Sequence, residues 1–319
     1  MESMEKLNKA KIIVTGGAGF IGSHLTERLV AEGVDVVVID NVFPELSYFT
    51  VLKLASKVRV INLDIRHRDA VKNLIMEIKP DYVYHLAAEA IVESSFDDPC
   101  TAFDTNIMGT INVLEALRFC KGIKGVIVAS SDKAYGKTTS DYTELSPLAG
   151  DHPYDASKAC ADIISRAYYV TYNLPVVVTR FGNVYGEGDF HFNRLIPGIC
   201  RSVVKNEVLE VRSDGTYERD YLYVKDVVDG YLVLLDKLHK TIGEAYNFSS
   251  SDHLNVIEVL KKVENKLGKK IEYNIQNIAH NEIPYQHLDD TKIRALGWKN
   301  KFTFDTTIQS IIEWYRAKL

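Results

Sequence analysis

A glycine-rich turn near the N-terminus constrains the fold of this chain more than any other stretch of its sequence. A short apolar run at residues 11–15 leads directly into GGAGFIG, and a helical pattern follows from residue 23 to about residue 32. In such a turn Gly16 permits the tight reversal, Gly19 lets the backbone approach a pyrophosphate, and Gly22 lets the helix pack closely on the strand. The pattern predicts a parallel α/β sheet with an anion site at the helix N-terminus.

An acidic residue after the next apolar run indicates which ligand the turn binds. The run at residues 34–39 ends at Asp40, about 20 residues beyond the turn. From this position a carboxylate accepts hydrogen bonds from the adenosine ribose hydroxyls and would repel a 2′-phosphate. The sequence therefore predicts NAD, rather than NADP, as the cofactor.

Further apolar runs extend the predicted sheet and place polar residues at one edge of it. Buried strands are expected at residues 58–63, 82–88, 125–129 and 176–180, and a strand at residues 245–248 is expected to return to the same region. Sheets of this kind bind ligands at the carboxyl ends of their strands. The run at 125–129 ends in a polar segment that belongs at this edge and consists of Ser130, Ser131, Asp132 and Lys133.

A tyrosine and a lysine follow at helical spacing. The sequence YDASK spans Tyr154 to Lys158 at the start of a helical segment, and a separation of four residues places both side chains on one face. A cation beside a phenol lowers its pKa from about 10, and a tyrosine can then act as a base near neutral pH. Most such pairs, taken alone, are ordinary surface residues of helices. The presence of the glycine turn in the same chain favours a functional role for this pair.

Together, YDASK and the glycine turn resemble the short-chain dehydrogenase/reductase superfamily, and the chain is similar to its extended, nucleotide-sugar-modifying branch over nearly its whole length. The resemblance implies a Rossmann-type doubly wound parallel sheet with a smaller α/β substrate-binding domain, in keeping with a length of 319 residues. Residues 1–183, with a return at about 222–250, are expected to bind NAD. Residues 184–221 and 251–319 are expected to bind a nucleotide sugar.

The resemblance also implies a set of cofactor contacts, and some of them have alternatives. Asp64 could equally form a surface ion pair with Arg66, and His85 fits a structural role better than a catalytic one. In family dimers, the helix at 102–119 and the helix that carries Tyr154 pair with their copies, so a homodimer is expected, although an apolar helix face also suits a core. The implied cofactor contacts are Gly16, Gly19, Phe20, Ile21, Gly22, Asp40, Asn41, Asp64, Ile65, Leu86, Ala87, Ala88, Asn106, Tyr154 and Lys158.

Four residues are implied as substrate contacts. Asn183 lies in RFGNVYG, which resembles a diphosphate-binding turn of nucleotide-sugar enzymes, and Arg194 lies where the smaller domain begins. Arg219 lies in RDYLYVKDV, where the family arginine pairs with a substrate phosphate, although an internal salt bridge would also suit it. Many relatives carry a second arginine before the LGW segment, which this chain lacks. Either His287 takes its place, or Arg219 and Asn183 hold the diphosphate.

The pair Asp132–Lys133 distinguishes two reactions that share this cofactor and fold. In nucleotide-sugar 4-epimerases the corresponding positions are usually small and uncharged. A 4,6-dehydratase oxidises C4, removes the C5 proton, protonates the departing C6 hydroxyl and returns the hydride to C6, so it needs an additional acid and base. The Asp–Lys pair resembles CDP-glucose 4,6-dehydratases and some inverting UDP-N-acetylglucosamine dehydratases. A 4,6-dehydratase is therefore expected, with a 4-epimerase as the alternative.

The resemblance assigns a role to each of five catalytic residues. Tyr154 is the base toward the sugar O4, Ser131 bonds the same oxygen, and Lys158 holds the ribose. Asp132 is the acid at O6. Lys133 is the C5 base if its amine is neutral, or else it orients Asp132 or contacts phosphate while a tyrosine or water takes the proton. A non-catalytic NAD-binding regulator is disfavoured because Tyr154 and Lys158 are both present.

Composition excludes several other classes. A net charge of −5 without any basic run argues against a nucleic-acid partner. The apolar runs are far shorter than a membrane span, and residues 1–11 are charged and lack a signal core. The cysteines are scattered without metal-ligand spacing, which favours reduced thiols in a cytoplasmic protein and predicts no metal site. They are Cys100, Cys120, Cys160 and Cys200.

Overall fold

A seven-stranded parallel sheet is the main structural element of the protein. The structure, a computed structural model, describes residues 10–278 and 283–319. The charged segment predicted at 1–11 therefore lies outside the described residues, apart from residues 10 and 11. The strands of the whole fold are β1 Lys11–Thr15, β2 Asp35–Asp40, β3 Arg59–Asn62, β4 Tyr82–His85, β5 Gly125–Ala129, β6 Val176–Phe181, β7 Asn183–Tyr185, β8 Leu209–Val211, β9 Glu218–Tyr223, β10 Ala245–Phe248, β11 His253–Leu254, β12 Tyr273–Ile275 and β13 Tyr285–Gln286.

The strand order identifies the edge where a ligand would bind. In the large sheet the strands lie in the order β10-β6-β5-β4-β1-β2-β3, and every neighbouring pair is parallel. The order reverses between β1 and β4, which opens a crevice beyond the carboxyl ends of these two strands. This arrangement confirms the predicted doubly wound Rossmann-type sheet, and β10 returns to it beside β6 as expected.

Helices cover both faces of this sheet. Ile13 and Val14, neighbours in β1, belong to different apolar clusters, because successive side chains of a strand point to opposite faces. Every helix in the described part of the chain is too short or too polar to cross a membrane. The helices are α1 Phe20–Ala31, α2 Tyr48–Val51, α3 Arg68–Ile78, α4 Val92–Asp97, α5 Pro99–Phe103, α6 Thr110–Phe119, α7 Pro153–Tyr172, α8 Leu195–Lys205, α9 Val224–Asp236, α10 Leu238–Thr241, α11 Val256–Leu267, α12 Thr291–Arg294 and α13 Phe304–Arg316.

Two helices differ from the predicted ranges. The helix after the glycine turn begins at Phe20, three residues earlier than expected, with Gly19 as its N-cap. The helix expected at 102–119 consists of α5, a π-helical turn at Asp104–Gly109, and α6. Within that turn the Thr110 hydroxyl donates to the Asn106 carbonyl at 2.6 Å, and such a side-chain bond competes with the regular helix ladder.

Two smaller sheets, of four and of two strands, lie outside the large sheet. Strand β9 pairs with β7 and β13 in parallel and with β11 in antiparallel orientation, and β8 pairs with β12. A third apolar cluster, which includes Ile199, Val259 and Ile311, joins helices α8, α11 and α13. These two sheets with their helices form the smaller α/β unit that the resemblance implied.

Candidate active site

The glycine turn at the end of β1 has no space for a side chain at Gly16 or Gly22. Gly16 has a φ of +70°, and a Cβ at this position would lie 2.6 Å from the Ala87 nitrogen. A Cβ on Gly22 would clash with the Gly16 carbonyl oxygen, whereas Gly19 is exposed and would contact only that oxygen, at 3.2 Å. The side chains of Phe20 and Ile21, which open α1, are half-buried. The turn can therefore accept a group at Gly19.

Asp40 stabilises the same turn from the end of β2. Its carboxylate accepts hydrogen bonds from the Ala18 nitrogen at 3.0 Å and from the Asn41 nitrogen at 2.9 Å. Burial raises the pKa of Asp40 above its ordinary value, against the effect of these bonds. Asp40 thus stabilises the conformation of the glycine turn. It also lies at the position where a ribose contact was predicted.

The residues after β3 include the ion pair that was considered as an alternative. Arg66 lies 2.6 Å from the Asp64 carboxylate, and the Asn41 side chain donates to the same oxygen at 3.2 Å. The hydrogen bond from Arg66 lowers the pKa of Asp64 to about 2. The side chain of Ile65 is buried and fills the space that a side chain on Gly109 would need.

The segment after β4 is fixed by buried polar contacts. Residues 86–88, predicted to contact the cofactor, are half-buried, and the Leu86 nitrogen donates to the Thr15 carbonyl at 3.0 Å. Asn106 donates to the Ser157 hydroxyl at 2.8 Å and accepts from the Glu89 nitrogen at 2.8 Å. Asn106 therefore ties this segment to α7, the helix that carries YDASK.

His85 has the structural role that its sequence favours. Its two ring nitrogens lie 2.8 Å from the Thr15 hydroxyl and 2.9 Å from the Thr110 hydroxyl. Burial lowers the pKa of His85 to about 3, so the ring is neutral at physiological pH.

Helix α7 presents Tyr154 and Lys158 from its first turns, and both side chains are buried. The Lys158 ammonium donates to the Ala129 carbonyl at 3.0 Å, and burial lowers its pKa to about 8. Burial raises the pKa of Tyr154 to about 12, although a hydrogen bond with Ser131 acts in the opposite direction. The lowering of the phenol pKa by the neighbouring lysine therefore stays a prediction, since burial is the largest influence on Tyr154 here and the ammonium donates to a backbone carbonyl.

The polar segment after β5 is closely interconnected. The Ser131 hydroxyl donates to Asp132 Oδ1 at 2.9 Å and accepts from the Lys133 nitrogen at 3.2 Å, at the start of a 3₁₀ turn over Asp132–Tyr135. Asp132 is buried, and burial raises the pKa of its carboxyl. Asp132 can therefore hold a proton at a pH where an exposed aspartate would be ionised.

Gln286 is a contact that the sequence did not reveal. Its Nε2 donates to Asp132 Oδ2 at 3.0 Å, and its Oε1 accepts from the Lys133 ammonium at 3.2 Å. The side-chain amide of Gln286 thus contacts both Asp132 and Lys133, the two residues used above to distinguish a dehydratase from an epimerase. Gln286 lies on β13 opposite Arg219 of β9, and no local motif marks it.

Asp155 is a second residue that the sequence analysis passed over. Its side chain is buried, and its Oδ1 has no hydrogen-bond partner among the described residues. Burial raises the pKa of Asp155 to about 6, while the positive charge of Lys133 acts to lower it. A second carboxyl of raised pKa therefore lies near Lys133.

Two of the predicted substrate residues carry a guanidinium group near the catalytic residues. Arg219 is buried and donates to the Glu218 carbonyl at 2.9 Å, and its positive charge acts on the carboxyl of Asp132. Arg194, the N-cap of α8, forms an ion pair with Asp189 at 3.1 Å, and its charge acts on the phenol of Tyr154.

The other two predicted substrate residues differ in their surroundings. The exposed Asn183 opens β7. The His287 ring lies 2.7 Å from the Asp220 carboxylate, which raises the imidazole pKa. His287 is therefore anchored by a carboxylate, and its role toward phosphate stays a prediction.

The chain matches a known protein family along most of its length. The family model described as GDP-mannose 4,6 dehydratase covers residues 13–311. A trifunctional UDP-glucose 4,6-dehydratase/UDP-4-keto-6-deoxy-D-glucose 3,5-epimerase/UDP-4-keto-L-rhamnose-reductase of Arabidopsis thaliana is 32% identical over 98% of this chain and 48% of that protein. The chain thus spans about half the length of the three trifunctional relatives it matches. A CDP-glucose 4,6-dehydratase of Salmonella typhimurium is 30% identical over 96% of this chain and 90% of that protein.

Solved structures with this fold include both kinds of enzyme considered above. A dTDP-glucose 4,6-dehydratase from Streptomyces venezuelae, solved with NAD bound, matches with a TM-score of 0.87 and 29% identity over 96% of this chain and 97% of that chain. A UDP-glucuronic acid 4-epimerase from Bacillus cereus, solved with UDP-glucuronic acid and NAD, matches with a TM-score of 0.89 and 26% identity over 97% of this chain and 100% of that chain. The overall fold therefore suits either reaction.

Proposed function

Since this chain belongs to the GDP-mannose 4,6-dehydratase family, we propose that it is an NAD-dependent nucleotide-sugar 4,6-dehydratase. Its substrate would be a nucleoside-diphosphate hexose, and its product the 4-keto-6-deoxy sugar. The reaction oxidises C4, eliminates water across C5 and C6, and returns the hydride to C6. The family and the NAD-bound dehydratase from Streptomyces venezuelae support this assignment.

One observation supports the dehydratase over an epimerase. Asp132 and Lys133 are joined through the amide of Gln286, beside Ser131. An epimerase needs one acid–base group at O4, because the ketone is simply reduced again on its other face. Elimination needs a second acid and base, and this arrangement supplies both.

The glycine turn suits NAD as the cofactor. Side chains at Gly16 and Gly22 would collide with the surrounding backbone, Gly19 is exposed, and the Asp40 carboxylate lies at the end of β2. NAD, when bound, supplies the reversible oxidation of a secondary alcohol. The remaining predicted contacts, among them Asn41, Asp64, residues 86–88 and Asn106, border the same edge of the sheet.

The oxidation would use Tyr154, Ser131 and Lys158. Tyr154 would take the proton from the sugar O4, and Ser131 would hydrogen-bond the same oxygen. Lys158 would bind the ribose. Because burial raises the pKa of Tyr154 to about 12, positive charge brought into the site is needed to bring the phenol into its working range.

The elimination would use Asp132 and Lys133. The raised pKa of Asp132 favours a protonated carboxyl, which can donate its proton to the departing O6. Lys133 would remove the C5 proton as a neutral amine. Arg219 and Arg194 would bind the diphosphate, with Asn183 completing that part of the site.

A homodimer in the cytoplasm completes the proposal. Helix α7 exposes Ile163 at 55% and Val170 at 68%, and Met108 beside α6 is 48% exposed. Apolar side chains exposed on two neighbouring helices suit pairing with a second copy. All four cysteines are free, which agrees with a reducing compartment.

The proposal is tested by product analysis. The purified protein would be incubated with NAD and one of four substrates at a time: CDP-, UDP-, GDP- or dTDP-glucose. CDP-glucose comes first, because the pair Asp132–Lys133 resembles that of CDP-glucose 4,6-dehydratases. The expected product is a 4-keto-6-deoxy sugar, detected by its absorbance in alkali and by its mass. A 4-epimer without any 6-deoxy product would establish the epimerase, which the structural match to the UDP-glucuronic acid 4-epimerase keeps as the second candidate.

A further inference from the structure

Three side chains of the small sheet converge on one point. The Nδ1 atoms of His253 and His287 lie 3.0 and 2.7 Å from the same oxygen, Oδ1 of Asp220. Ligand atoms of the three residues all lie within 4.8 Å of one another. Among residues 10–278 and 283–319, this is the only group of histidine, cysteine, aspartate or glutamate residues that converges in this way.

The strand register places this group next to the catalytic residues. His253 pairs with Asp220 across β11 and β9, and Gln286 pairs with Arg219 across β13 and β9. Consecutive residues of a strand point to opposite faces. Asp220 therefore points to the face opposite Arg219, but a Cβ on Gly182 would lie 3.2 Å from Asp132 Oδ2 and 3.5 Å from the Asp220 Cβ, so the group borders the catalytic residues.

A second layer of contacts orients the side chains of His253 and Asp220. Glu218 lies 3.0 Å from Nε2 of His253. The other oxygen of Asp220 accepts from the Leu288 nitrogen at 3.0 Å and from the Ser249 hydroxyl at 2.7 Å. These contacts leave Nδ1 of His253 and Oδ1 of Asp220 directed at each other. Metal-ligating histidines are commonly oriented by a carboxylate on the opposite ring nitrogen in this manner.

We propose that Asp220, His253 and His287 form a binding site for a divalent transition-metal ion, with Zn²⁺ the best match to the ligands. Two imidazole nitrogens and a carboxylate oxygen are typical ligands of Zn²⁺. Tetrahedral Zn²⁺ holds ligand atoms roughly 3.4 Å apart, so the two nitrogen–oxygen distances of 3.0 and 2.7 Å would widen by about 0.4 and 0.7 Å. Both imidazoles are partly exposed, at 23% and 29%, which gives an ion access from solvent.

The ion would fasten β11 and β13 to β9. Since β13 also carries Gln286, the site would stabilise the strand that positions Asp132 and Lys133. This conclusion differs from the expectation of no metal site, which considered only ligands close together in the sequence. Here the ligands come from two strands and from the residue that follows β13, and they meet only in the folded chain.

The test is a Zn²⁺ titration of the full chain after treatment with a chelator, in competition with a chromophoric zinc indicator. One equivalent is expected to bind. His253→Gln and His287→Gln should each weaken the affinity at least ~100-fold, and Glu218→Gln should weaken it about 10-fold. His239→Ala, which removes an exposed imidazole outside the group, should bind as the parent does.

Two further measurements make the outcome decisive. Co²⁺ in place of Zn²⁺ should give the visible absorption bands of a four-coordinate site, and both histidine variants should lose them while keeping the parent circular dichroism. Zn²⁺ should also raise the melting temperature of the parent but not of these variants. Stoichiometric binding that survives in both variants, or no binding by the parent beyond that of a His253→Gln/His287→Gln double variant, would overturn the proposal.

Discussion

The two halves of the candidate active site are built in different ways. The oxidation half, Tyr154 and Lys158, comes from consecutive turns of the single helix α7, and Lys158 reaches its backbone partner on the neighbouring strand β5. The elimination half, Asp132 and Lys133, depends on Gln286, which lies 154 and 153 residues away in the chain. The geometry of the first half is therefore determined by local sequence. The second half depends on how the small sheet that carries Gln286 packs against the segment after β5.

Burial has opposite chemical consequences in the two halves. In the oxidation half it disfavours the charged forms that the reaction needs, because it raises the pKa of Tyr154 to about 12 and lowers that of Lys158 to about 8. In the elimination half it favours the protonated carboxyl of Asp132, which is the form required of an acid. We therefore expect the oxidation half to depend on charge brought by bound ligands, and the elimination half to be prepared by the protein itself.

The largest effect is expected from removing the Tyr154 hydroxyl. Tyr154→Phe keeps the ring packing but removes the only group proposed to take the O4 proton, so turnover should fall by at least ~10⁴-fold. The loss should affect oxidation itself, measured as reduction of the cofactor in a single turnover. A Tyr172→Phe control on the same helix, where the tyrosine is 51% exposed, should retain parent activity. Near-parent cofactor reduction in Tyr154→Phe would show that the two halves are misassigned.

A smaller loss, confined to the elimination half, is expected from Gln286→Leu. The substitution removes hydrogen bonds to Asp132 and to Lys133, and hydrogen bonds between neutral groups are worth about 0.5–1.5 kcal/mol each. Turnover should therefore fall about 10- to 100-fold, through kcat rather than KM, while cofactor reduction proceeds as in the parent. Gln309→Leu, at an exposed position of α13, is the matched control. Equal slowing of both steps by Gln286→Leu would mean that Gln286 supports the fold rather than the pair.

A pH profile separates the halves by their ionised groups. If the Lys158 ammonium is required, kcat/KM should fall about tenfold per pH unit as pH rises above about 8, because the proton is lost there. Lys158→Arg keeps a cation that does not titrate in this range, so its residual activity should lack this decline. A profile of the same shape in both proteins would assign the alkaline limb to another group.

The smallest effect on the rate is expected at the proposed dimer surface. Ile163→Asp with Val170→Asp places two charges on the exposed apolar face of α7 and should convert a dimer into a monomer by light scattering. The catalytic rate should change by only a few fold, since both halves of the site lie within one chain. Leu145→Asp, at a loop position that is 95% exposed, controls for the added charge. A parent protein that is already a monomer would contradict the proposed surface.

Sequence reasoning succeeded where function depends on neighbours in the chain. Gly16, Asp40 and the strands around them follow from patterns of a few residues, and Asp132 follows from its place after a buried strand. The Lys158 contact to Ala129 and the π-helical turn at Asp104–Gly109 could not be predicted, since each depends on packing between elements. Gln286 was also missed, because its role is set by the pairing of β13 with β9.

The central claim is that oxidation and elimination use separate groups, and a single turnover of Asp132→Asn tests it most directly. Asparagine keeps the size of Asp132 but has no carboxyl proton for O6, so elimination should slow by ~10²- to 10⁴-fold. Reduced cofactor should therefore form at the parent rate and persist, with its absorbance rising to a plateau before any 6-deoxy product appears. Formation of 6-deoxy product by Asp132→Asn at the parent rate, without accumulation of reduced cofactor, would contradict the claim.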